Sequence, residues 1–252
     1  MDRKIPISVA IVTKNEEKNI RDALESIRDF EDIVVVDAFS EDRTVEISRT
    51  YTERIYQHEW SGYSAQKQRA VDYTRGEWVL ILDADERVTP GLKSEMVEGI
   101  AASRFSGFYL PRRNYFLGTW IRYSGWWPDY TLRLFRKTVS RVEPREVHEK
   151  VAVMGPVGYL REPLEHYSYR SLSEYLGKME IYSALAAKEL CTRRPTSLIR
   201  SMVLNPPLVF LKMFLLRQGF RDGTHGFLLA VLYGSYTFLK YAKAWEARSA
   251  PK

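Results

Sequence analysis

Three short apolar segments constrain the fold of this chain more than any other feature. Residues 5–12, 33–36 and 78–82 are rich in Ile, Val and Leu and show little alternation, as strands covered on both faces do. Helical patterns follow the first and second segments, and a further helix is predicted over residues 64–73, before the third. Strands that alternate with helices predict an α/β fold with a doubly wound, mostly parallel sheet.

Polar and acidic residues follow each of these predicted strands directly. Residues 13–16 come after the first strand, Asp37 ends the second, and Asp83 and Asp85 come after the third. In open parallel sheets, ligands bind at the carboxyl ends of the strands. The order of the segments therefore predicts one binding site at that edge of the sheet.

The Asp83-Ala84-Asp85 motif places two carboxylates together at the end of a buried strand. Because two neighbouring carboxylates repel each other, we expect a positively charged partner that neutralises them. Mg²⁺ and Mn²⁺ prefer oxygen ligands and commonly combine one or two carboxylates with substrate phosphates. The motif therefore predicts a metal site that binds a diphosphate, with the capping of a following helix by Asp83 or Asp85 as the structural alternative.

Three segments in this order resemble the family 2 glycosyltransferases. They are residues 8–16 (SVAIVTKNE), 33–44 (IVVVDAFSEDRT) and 76–86 (GEWVLILDADE), and the resemblance covers roughly residues 5–100. It implies a nucleotide-sugar-binding fold of the GT-A type and a reaction that inverts the anomeric centre. Within the family, the chain is most similar to the lipopolysaccharide core β-glucosyltransferases, through motifs in the second half such as residues 147–149.

The resemblance also implies roles for residues at the strand ends. Thr13 and Glu16 are expected to line the nucleoside pocket, and Asp37 is expected to reach the base. Asp83 is expected to contact the ribose or the sugar, and Asp85 to hold the metal ion.

Three further positions are interpreted through the same family. Lys67 matches a frequent basic position near the nucleotide, although a solvated lysine on a helix face is an equal alternative. His166 falls where some relatives have a late metal-binding histidine. The chain departs from the family at Phe39, where an Asp-Asp or Asp-Asn-Gly-Ser sequence is common, so the wall of the base pocket is expected to differ.

Inversion by direct displacement needs a general base that takes the proton of the acceptor hydroxyl. The candidate carboxylates after residue 100 are Asp129, Glu146 and Glu149. By its order along the chain Glu149 resembles the base position of the family, and Asp129 stays the second candidate. His148 is a candidate for orienting the acceptor or donating to the diphosphate.

Two basic and aromatic segments suggest further substrate contacts. Arg133 and Arg136 are expected on one face of a strand, where guanidinium groups suit bidentate phosphate contacts, or they are solvated strand charges. Trp126 and Trp127, beside Gly125, are interpreted as a loop that stacks on a sugar ring, with burial in the core as the alternative.

Charge is distributed unevenly along the chain. Residues 1–100 hold 14 Lys and Arg against 21 Asp and Glu, a net charge of −7, and the remaining residues hold 24 against 11, a net charge of +13, which together give +6. A basic half with apolar segments fits an anionic membrane surface or a phosphorylated acceptor. Nucleic acid is not expected as a partner, because the sequence has no finger, basic zipper or ribonucleoprotein motif.

The end of the chain is predicted to be helical over residues 171–193, 197–218 and 226–247, with a break or kink at Pro206-Pro207. Charged residues such as Lys212 interrupt the apolar runs, so helices lying on a membrane are expected rather than spanning ones, and packing on protein is an equal alternative. We therefore divide the chain into a GT-A domain at 1–165, with a donor half at 1–100 and an acceptor half at 101–165, and a C-terminal helical extension at 166–252.

Together these features predict an inverting glycosyltransferase that needs Mg²⁺ or Mn²⁺ and transfers a hexose from a UDP-linked donor to a lipid-linked glycan. Alternatives are the same fold acting on a polyprenyl phosphate or a peptide, or a nucleotide-sugar-binding protein without activity that serves a membrane assembly. One cysteine and an N-terminus without the apolar core of a secretory signal predict a cytoplasmic location, peripheral on the inner face of the cell membrane.

Overall fold

The computed structural model describes residues 4–102, 104–144, 150–193 and 197–249, and these form two compact units. The first unit comprises Met1–Arg113 and Asp129–His166, and the second comprises Asn114–Pro128 and Tyr167–Lys252. The second unit thus includes residues 114–128, which the sequence analysis grouped with the acceptor half.

The strands, in chain order, are β1 (Ile5–Thr13), β2 (Phe30–Asp37), β3 (Ile55–Gln57), β4 (Trp78–Asp83), β5 (Glu86–Val88), β6 (Gly107–Phe116), β7 (Thr119–Trp120), β8 (Asp129–Arg136), β9 (Ser140–Glu143), β10 (Lys150–Val153), β11 (Val157–Tyr159) and β12 (Leu164–Tyr169). The α-helices are α1 (Ile20–Glu25), α2 (Thr44–Arg49), α3 (Tyr63–Tyr73), α4 (Pro90–Ala101), α5 (Leu172–Arg193), α6 (Leu198–Leu211) and α7 (Gly223–Ser249).

The main sheet has the strand order β3-β2-β1-β4-β8-β6-β12-β5, with β7 and β11 also paired to β6. Strands β3, β2, β1 and β4 are mutually parallel, and the crossovers between them run through helices, as predicted. From β8 onwards the pairing includes antiparallel strands, because β8 runs against both β4 and β6. Strands β9 and β10 form a separate antiparallel pair.

The register of the parallel strands aligns the ends that carry polar residues. Thr13 pairs with Asp37 across β1 and β2, and Val12 pairs with Asp83 across β1 and β4. Because the three strands end within one residue of the same level, their terminal side chains emerge together at one edge of the sheet.

Helices cover both faces of this sheet, which confirms the doubly wound prediction. On one face, Ile20 and Leu24 of α1 and Leu92 of α4 are fully buried in the larger core cluster. On the other face, Ala70 and Val71 of α3 pack in a second cluster. Burial of each Ile, Leu or Val side chain among these contributes about 1.5–3 kcal/mol, so the predicted apolar positions stabilise the sheet that carries the strand ends.

Asp32, at the start of β2, joins three segments of the first unit. Its carboxylate accepts hydrogen bonds from Ser8 Oγ at 2.7 Å and from the Arg75 amide at 2.9 Å, and it pairs with Arg54. Burial by itself raises the pKa of Asp32, but these hydrogen bonds and the Arg54 charge outweigh it and hold the pKa below the ordinary value of 3.8.

This lowered pKa predicts how the stability of the protein depends on pH. The contribution of a carboxylate with a depressed folded-state pKa is fully present above its unfolded pKa and is lost as the pH falls through the folded value. We therefore expect Asp32→Asn to lower the free energy of unfolding at pH 7, and this deficit to shrink as the pH falls from 4 to lower values. Urea unfolding at several pH values measures the difference, and a deficit that stays constant from pH 7 to pH 3 contradicts the assignment.

The second unit is built mainly from the three long helices. Phe116, Ile121, Tyr175 and Leu229 form one buried cluster, and Ala187, Leu198 and Ala244 form another. Helix α6 continues through Pro206 and Pro207 and is followed by one π-helical turn at Lys212–Leu216. Of the predicted break or kink at the prolines, the continuous helix excludes the break. Because proline has no backbone N–H, the two prolines cost only local hydrogen bonds of the helix. Helix α7 packs closely at this point, because Gly234 faces the carbonyl of Pro206.

Within the described parts of the chain, one helical segment is long and apolar enough to cross a membrane. It covers Leu198–Leu216, and only 11% of its apolar 18-residue stretch is buried. The segment is long and apolar enough to span a membrane although it contains charged residues, which had argued against a spanning helix in the sequence.

Candidate active site

Asp37, at the end of β2, is a fully buried carboxylate with a fixed orientation. Thr13 Oγ1 donates to Asp37 Oδ1 at 3.0 Å, and the Ser40 amide and Gln57 Nε2 donate to Oδ2 at 2.9 Å and 3.2 Å. The structure therefore brings the predicted residues Thr13 and Asp37 into direct contact. Ser40, to which the sequence assigned no role in the site, contributes the second anchor.

The loop after β1 is tied to the loop after β2 by paired hydrogen bonds. The Asn15 amide donates to Ser40 Oγ at 2.8 Å, and the Glu41 amide donates to Asn15 Oδ1 at 2.9 Å. The Glu16 amide donates to Thr44 Oγ1 at 2.7 Å. These contacts hold Glu16 beside the Asp37 strand end, where it was predicted to line the same pocket.

Phe39 gives this pocket edge an unusual backbone. It has a φ of +53° and its side chain is 52% exposed, next to the buried Asp37. A bulky residue in the left-handed region is strained, and such strain clusters at ligand sites. The position that departs from the family pattern thus also has a left-handed backbone.

A row of alternating charges runs from α3 across the end of β4 to β6 and β8. Lys67 Nζ lies 2.8 Å from Asp83 Oδ1, and the Arg133 guanidinium contacts both Asp83 and Glu86, the latter at 2.9 Å. Glu86 is fully buried and also accepts the Asp83 amide hydrogen at 2.9 Å. We call this the charge row; its members are Lys67, Asp83, Arg133, Glu86, Arg112 and Asp129.

The far end of the charge row contains the candidate base Asp129. Arg112 Nη1 lies 3.6 Å from Glu86 Oε1, and its Nε and Nη2 donate to Asp129 Oδ2 at 3.0 Å and 2.6 Å. Arg112 and Glu86 were not assigned to the site from the sequence. Arg112 is one of several basic residues in its strand, and Glu86 is one further acidic residue after the Asp83-Ala84-Asp85 motif. Through them, the two predicted site residues Asp83 and Asp129 are connected.

A β-bulge directs Arg133 into this row. On β8, Leu134 pairs with Phe108 and Leu132 pairs with Tyr109, so Arg133 has no opposite residue on β6. Bulges locally re-aim a side chain and are common beside active sites. Arg133 is consequently buried among carboxylates.

The charge row determines the protonation state of Asp83. Burial alone raises the pKa of Asp83, but the Arg133 and Lys67 charges and their hydrogen bonds outweigh it and hold that pKa well below its usual range. Asp83 is therefore a carboxylate anion with cations on both oxygens.

Asp85 and His166 form a separate pair beside the charge row. Asp85 Oδ2 lies 3.5 Å from His166 Nε2, and both side chains are mostly buried. The antiparallel pairing of β12 with β5 places His166 opposite Glu86, one residue after Asp85. The described residues contain no cluster of three or more His, Cys, Asp or Glu able to hold a metal by itself. One carboxylate and one imidazole nevertheless fit Mg²⁺ or Mn²⁺ when phosphate oxygens and water complete the coordination.

Another predicted site residue, Arg136, lies elsewhere in the first unit. Arg136 pairs with Glu77 and stacks over Trp78 at 4.8 Å, at the start of β4, so it does not lie together with Arg133 near Asp83. Regular alternation puts residues three apart on opposite faces of a strand, so the spacing of Arg133 and Arg136 did not support a common face. Trp127 belongs to the second unit, where its ring lies 5.5 Å from that of Trp120. Glu146, His148 and Glu149 lie outside the described residues.

Sequence comparisons relate this chain to known glycosyltransferases. The model of the family described as Glycosyl transferase family 2 matches residues 8–168. The chain is 30% identical to the lipopolysaccharide core biosynthesis glycosyltransferase LpsC of Rhizobium meliloti, over 96% of this chain and 93% of that protein. It is 31% identical to an uncharacterized glycosyltransferase of Rickettsia typhi, over 95% and 87%.

Among solved structures, the chain is similar to residues 1–349 of S. aureus TarS in complex with UDP. The TM-score is 0.50 at 16% identity, and the match covers 96% of this chain and 91% of that one. This likeness shows a GT-A fold, in agreement with the sheet order. The match to the family model over most of the chain and the full-length likeness to LpsC lead to one conclusion: the chain belongs to glycosyl transferase family 2.

Proposed function

We propose that the protein is an inverting, metal-dependent glycosyltransferase that transfers a hexose from a UDP-linked donor to a lipid-linked glycan such as lipopolysaccharide core. The observation that supports this most is the strand-end site, where Asp83 is held by two cations and Asp85 lies beside His166. The full-length similarity to LpsC supports an acceptor in lipopolysaccharide core biosynthesis. The sugar transfer to such a lipid takes place at the cytoplasmic face of the membrane, and the protein is bound there peripherally.

The donor is bound at the ends of β1, β2 and β4. Thr13, Glu16 and Asp37 line the nucleoside pocket, where the buried Asp37 carboxylate is fixed to accept a hydrogen bond from the base. Asp83 contacts the ribose or the sugar. Because both Asp83 oxygens already contact cations, it is less suited than Asp85 to hold the metal ion.

Asp85 and His166 would hold Mg²⁺ or Mn²⁺ together with the donor diphosphate. Such an ion would supply Lewis-acid stabilisation of the negative charge on the departing diphosphate. Lys67 and Arg133 keep Asp83 ionised and contribute positive potential near the same charge.

The transfer step needs a base on the acceptor side. The acceptor hydroxyl oxygen bonds to the anomeric carbon, the bond from that carbon to the diphosphate oxygen breaks with its electron pair, and the hydroxyl proton passes to a carboxylate. We propose Glu149 for this role. Asp129 is the second candidate, and it is already engaged by Arg112.

The first test is thermal unfolding with UDP, GDP, CDP, dTDP and AMP, each with Mn²⁺ or with EDTA. A ligand at 100 times its dissociation constant adds about 2.7 kcal/mol to the folded state, which corresponds to a rise of roughly 5–11 °C for a protein of this size. We expect this rise with UDP and Mn²⁺ and not with UDP and EDTA. UDP is the first nucleotide to test because the TarS structure contains it.

A response to a different nucleotide alone would reassign the donor, and no metal-linked response to any of the five would contradict the proposed function. Variants of the candidate bases then separate an enzyme from a binding protein. In an enzyme, Glu149→Gln or Asp129→Asn lowers turnover and leaves donor affinity unchanged, whereas a binding protein shows no turnover to lose.

A further inference from the structure

Helix α6 presents an exposed stripe of leucines. Leu204, Leu208 and Leu211 of α6 are 45%, 59% and 45% exposed, and their spacing of i, i+4, i+7 places them on one side of the helix. Leu215, in the π-helical turn that follows, is 52% exposed and extends this set. We call this the leucine face. The helix and its π-helical turn bury Leu198 and Met213 on another side, so the leucine face is not needed for packing within the second unit.

The segment around the leucine face carries only positive charge. Residues 190–221 contain no Asp or Glu, and their cations are Arg193, Arg194, Arg200, Lys212, Arg217 and Arg221. At about 100° per residue, Arg200 and Lys212 border the leucine face on either side. Apolar side chains flanked by cations match a bilayer with anionic headgroups, where leucines enter the acyl boundary and cations remain at the phosphates.

Contacts beneath α6 favour a helix that lies on the membrane rather than crossing it. Helix α6 packs along α7, where Asn205 Nδ2 donates to the Tyr241 hydroxyl at 2.9 Å. Helix α7 also carries Lys240, which lines a groove together with Asn205 and Lys212. If α6 spanned the bilayer in this packing, these polar and charged groups would enter the hydrocarbon, at a high cost in free energy.

We propose that the leucine face of α6 docks the protein in the plane of an anionic lipid bilayer, with Arg200 and Lys212 at the headgroups. This gives the membrane contact of the proposed function a defined surface, and it rests on that function only for the location of the acceptor. The apolar face and its flanking cations act together, so binding depends both on anionic lipid and on exposed leucines.

The test is co-sedimentation of the full-length protein with phosphatidylcholine vesicles, with and without 30% phosphatidylglycerol. We expect binding to the anionic vesicles that weakens with salt. Leu208→Glu combined with Leu215→Glu is expected to weaken it more than tenfold, since moving one leucine from water to an apolar phase is worth roughly an order of magnitude or more. Arg200→Gln with Lys212→Gln is expected to weaken binding to anionic vesicles only.

The matched control is Leu176→Glu with Ile181→Glu, which changes two exposed aliphatic residues of α5 that are 47% and 62% exposed. This control should bind as the unchanged protein does. Equal losses in both double variants, or unchanged binding in the α6 variant, would overturn the proposal. So would resistance of the bound protein to alkaline carbonate, which indicates a spanning helix, or a dimer that the α6 variant dissociates without any vesicle binding.

The UDP and Mn²⁺ thermal response, measured on the same samples, separates the two proposals. A leucine-face variant that loses vesicle binding and keeps the nucleotide response supports docking through α6 and is independent of the chemistry. Vesicle binding without any nucleotide response would leave the docking surface standing and contradict the proposed function.

Discussion

Asp85→Asn is expected to lower turnover roughly 10³-fold and to abolish the effect of Mn²⁺ on donor binding. The asparagine side chain lacks the negative charge that holds a divalent ion, and the Lewis-acid contribution of such an ion is worth several kcal/mol, about three factors of ten in rate. His166→Asn is expected to weaken the same metal dependence, because His166 Nε2 lies 3.5 Å from Asp85 Oδ2. Turnover is measured as UDP release from the donor across a Mn²⁺ titration.

Glu77→Gln is the matched control for this variant. Glu77 is an exposed carboxylate that pairs with Arg136 and directly precedes β4, at the end of the strand away from Asp83. Its loss should leave turnover and metal dependence unchanged. If Asp85→Asn keeps both metal-dependent donor binding and turnover, the metal site is not at Asp85. A loss in Asp85→Asn with no change in His166→Asn would remove His166 from the site.

Arg133→Met is expected to produce the largest loss of stability in the first unit. Methionine leaves Glu86, which is fully buried, without the guanidinium that contacts it at 2.9 Å. Removing one partner of a buried ion pair costs about 3–5 kcal/mol, which lowers the unfolding midpoint by roughly 6–20 °C for a protein of this size. Thermal and denaturant unfolding of the two proteins provide the measurement.

The control is Arg136→Met, three residues along the same strand. Arg136 pairs with the exposed Glu77, and an ion pair of this kind is worth about 0–1 kcal/mol. Similar losses in the two variants would show that the charge row does not stabilise the fold. The double variant Arg133→Met with Glu86→Gln tests the coupling further, because removing both charges should recover part of the loss.

The sequence by itself determined the strands, their burial and the position of their polar ends. Buried parallel strands appear as continuous Ile and Val runs, so β1, β2 and β4 were predictable, and parallel crossovers bring their carboxyl ends to one edge. This local and periodic information was enough to predict that Thr13, Asp37 and Asp83 share a site. The structure confirms that they share one end of the sheet.

Only the tertiary structure determined which charges meet. Arg133 follows Glu86 by 47 residues, and its contact depends on a bulge that alternation along β8 did not predict. Glu86 looked like one acid among several, because burial of a charged residue depends on partners that lie far away in the chain. Pairing of this kind is set by strand register and packing, which a pattern of single residues does not encode.

The same reason explains the remaining differences. Arg136 was grouped with Arg133, although alternation puts residues three apart on opposite faces of a strand, and the two contact different partners. His166 reaches Asp85 only because β12 pairs antiparallel with β5. The sequence thus determined the elements and the ends that carry function, and the tertiary structure decided the partners of each charge, because local periodicity specifies faces while long-range register specifies contacts.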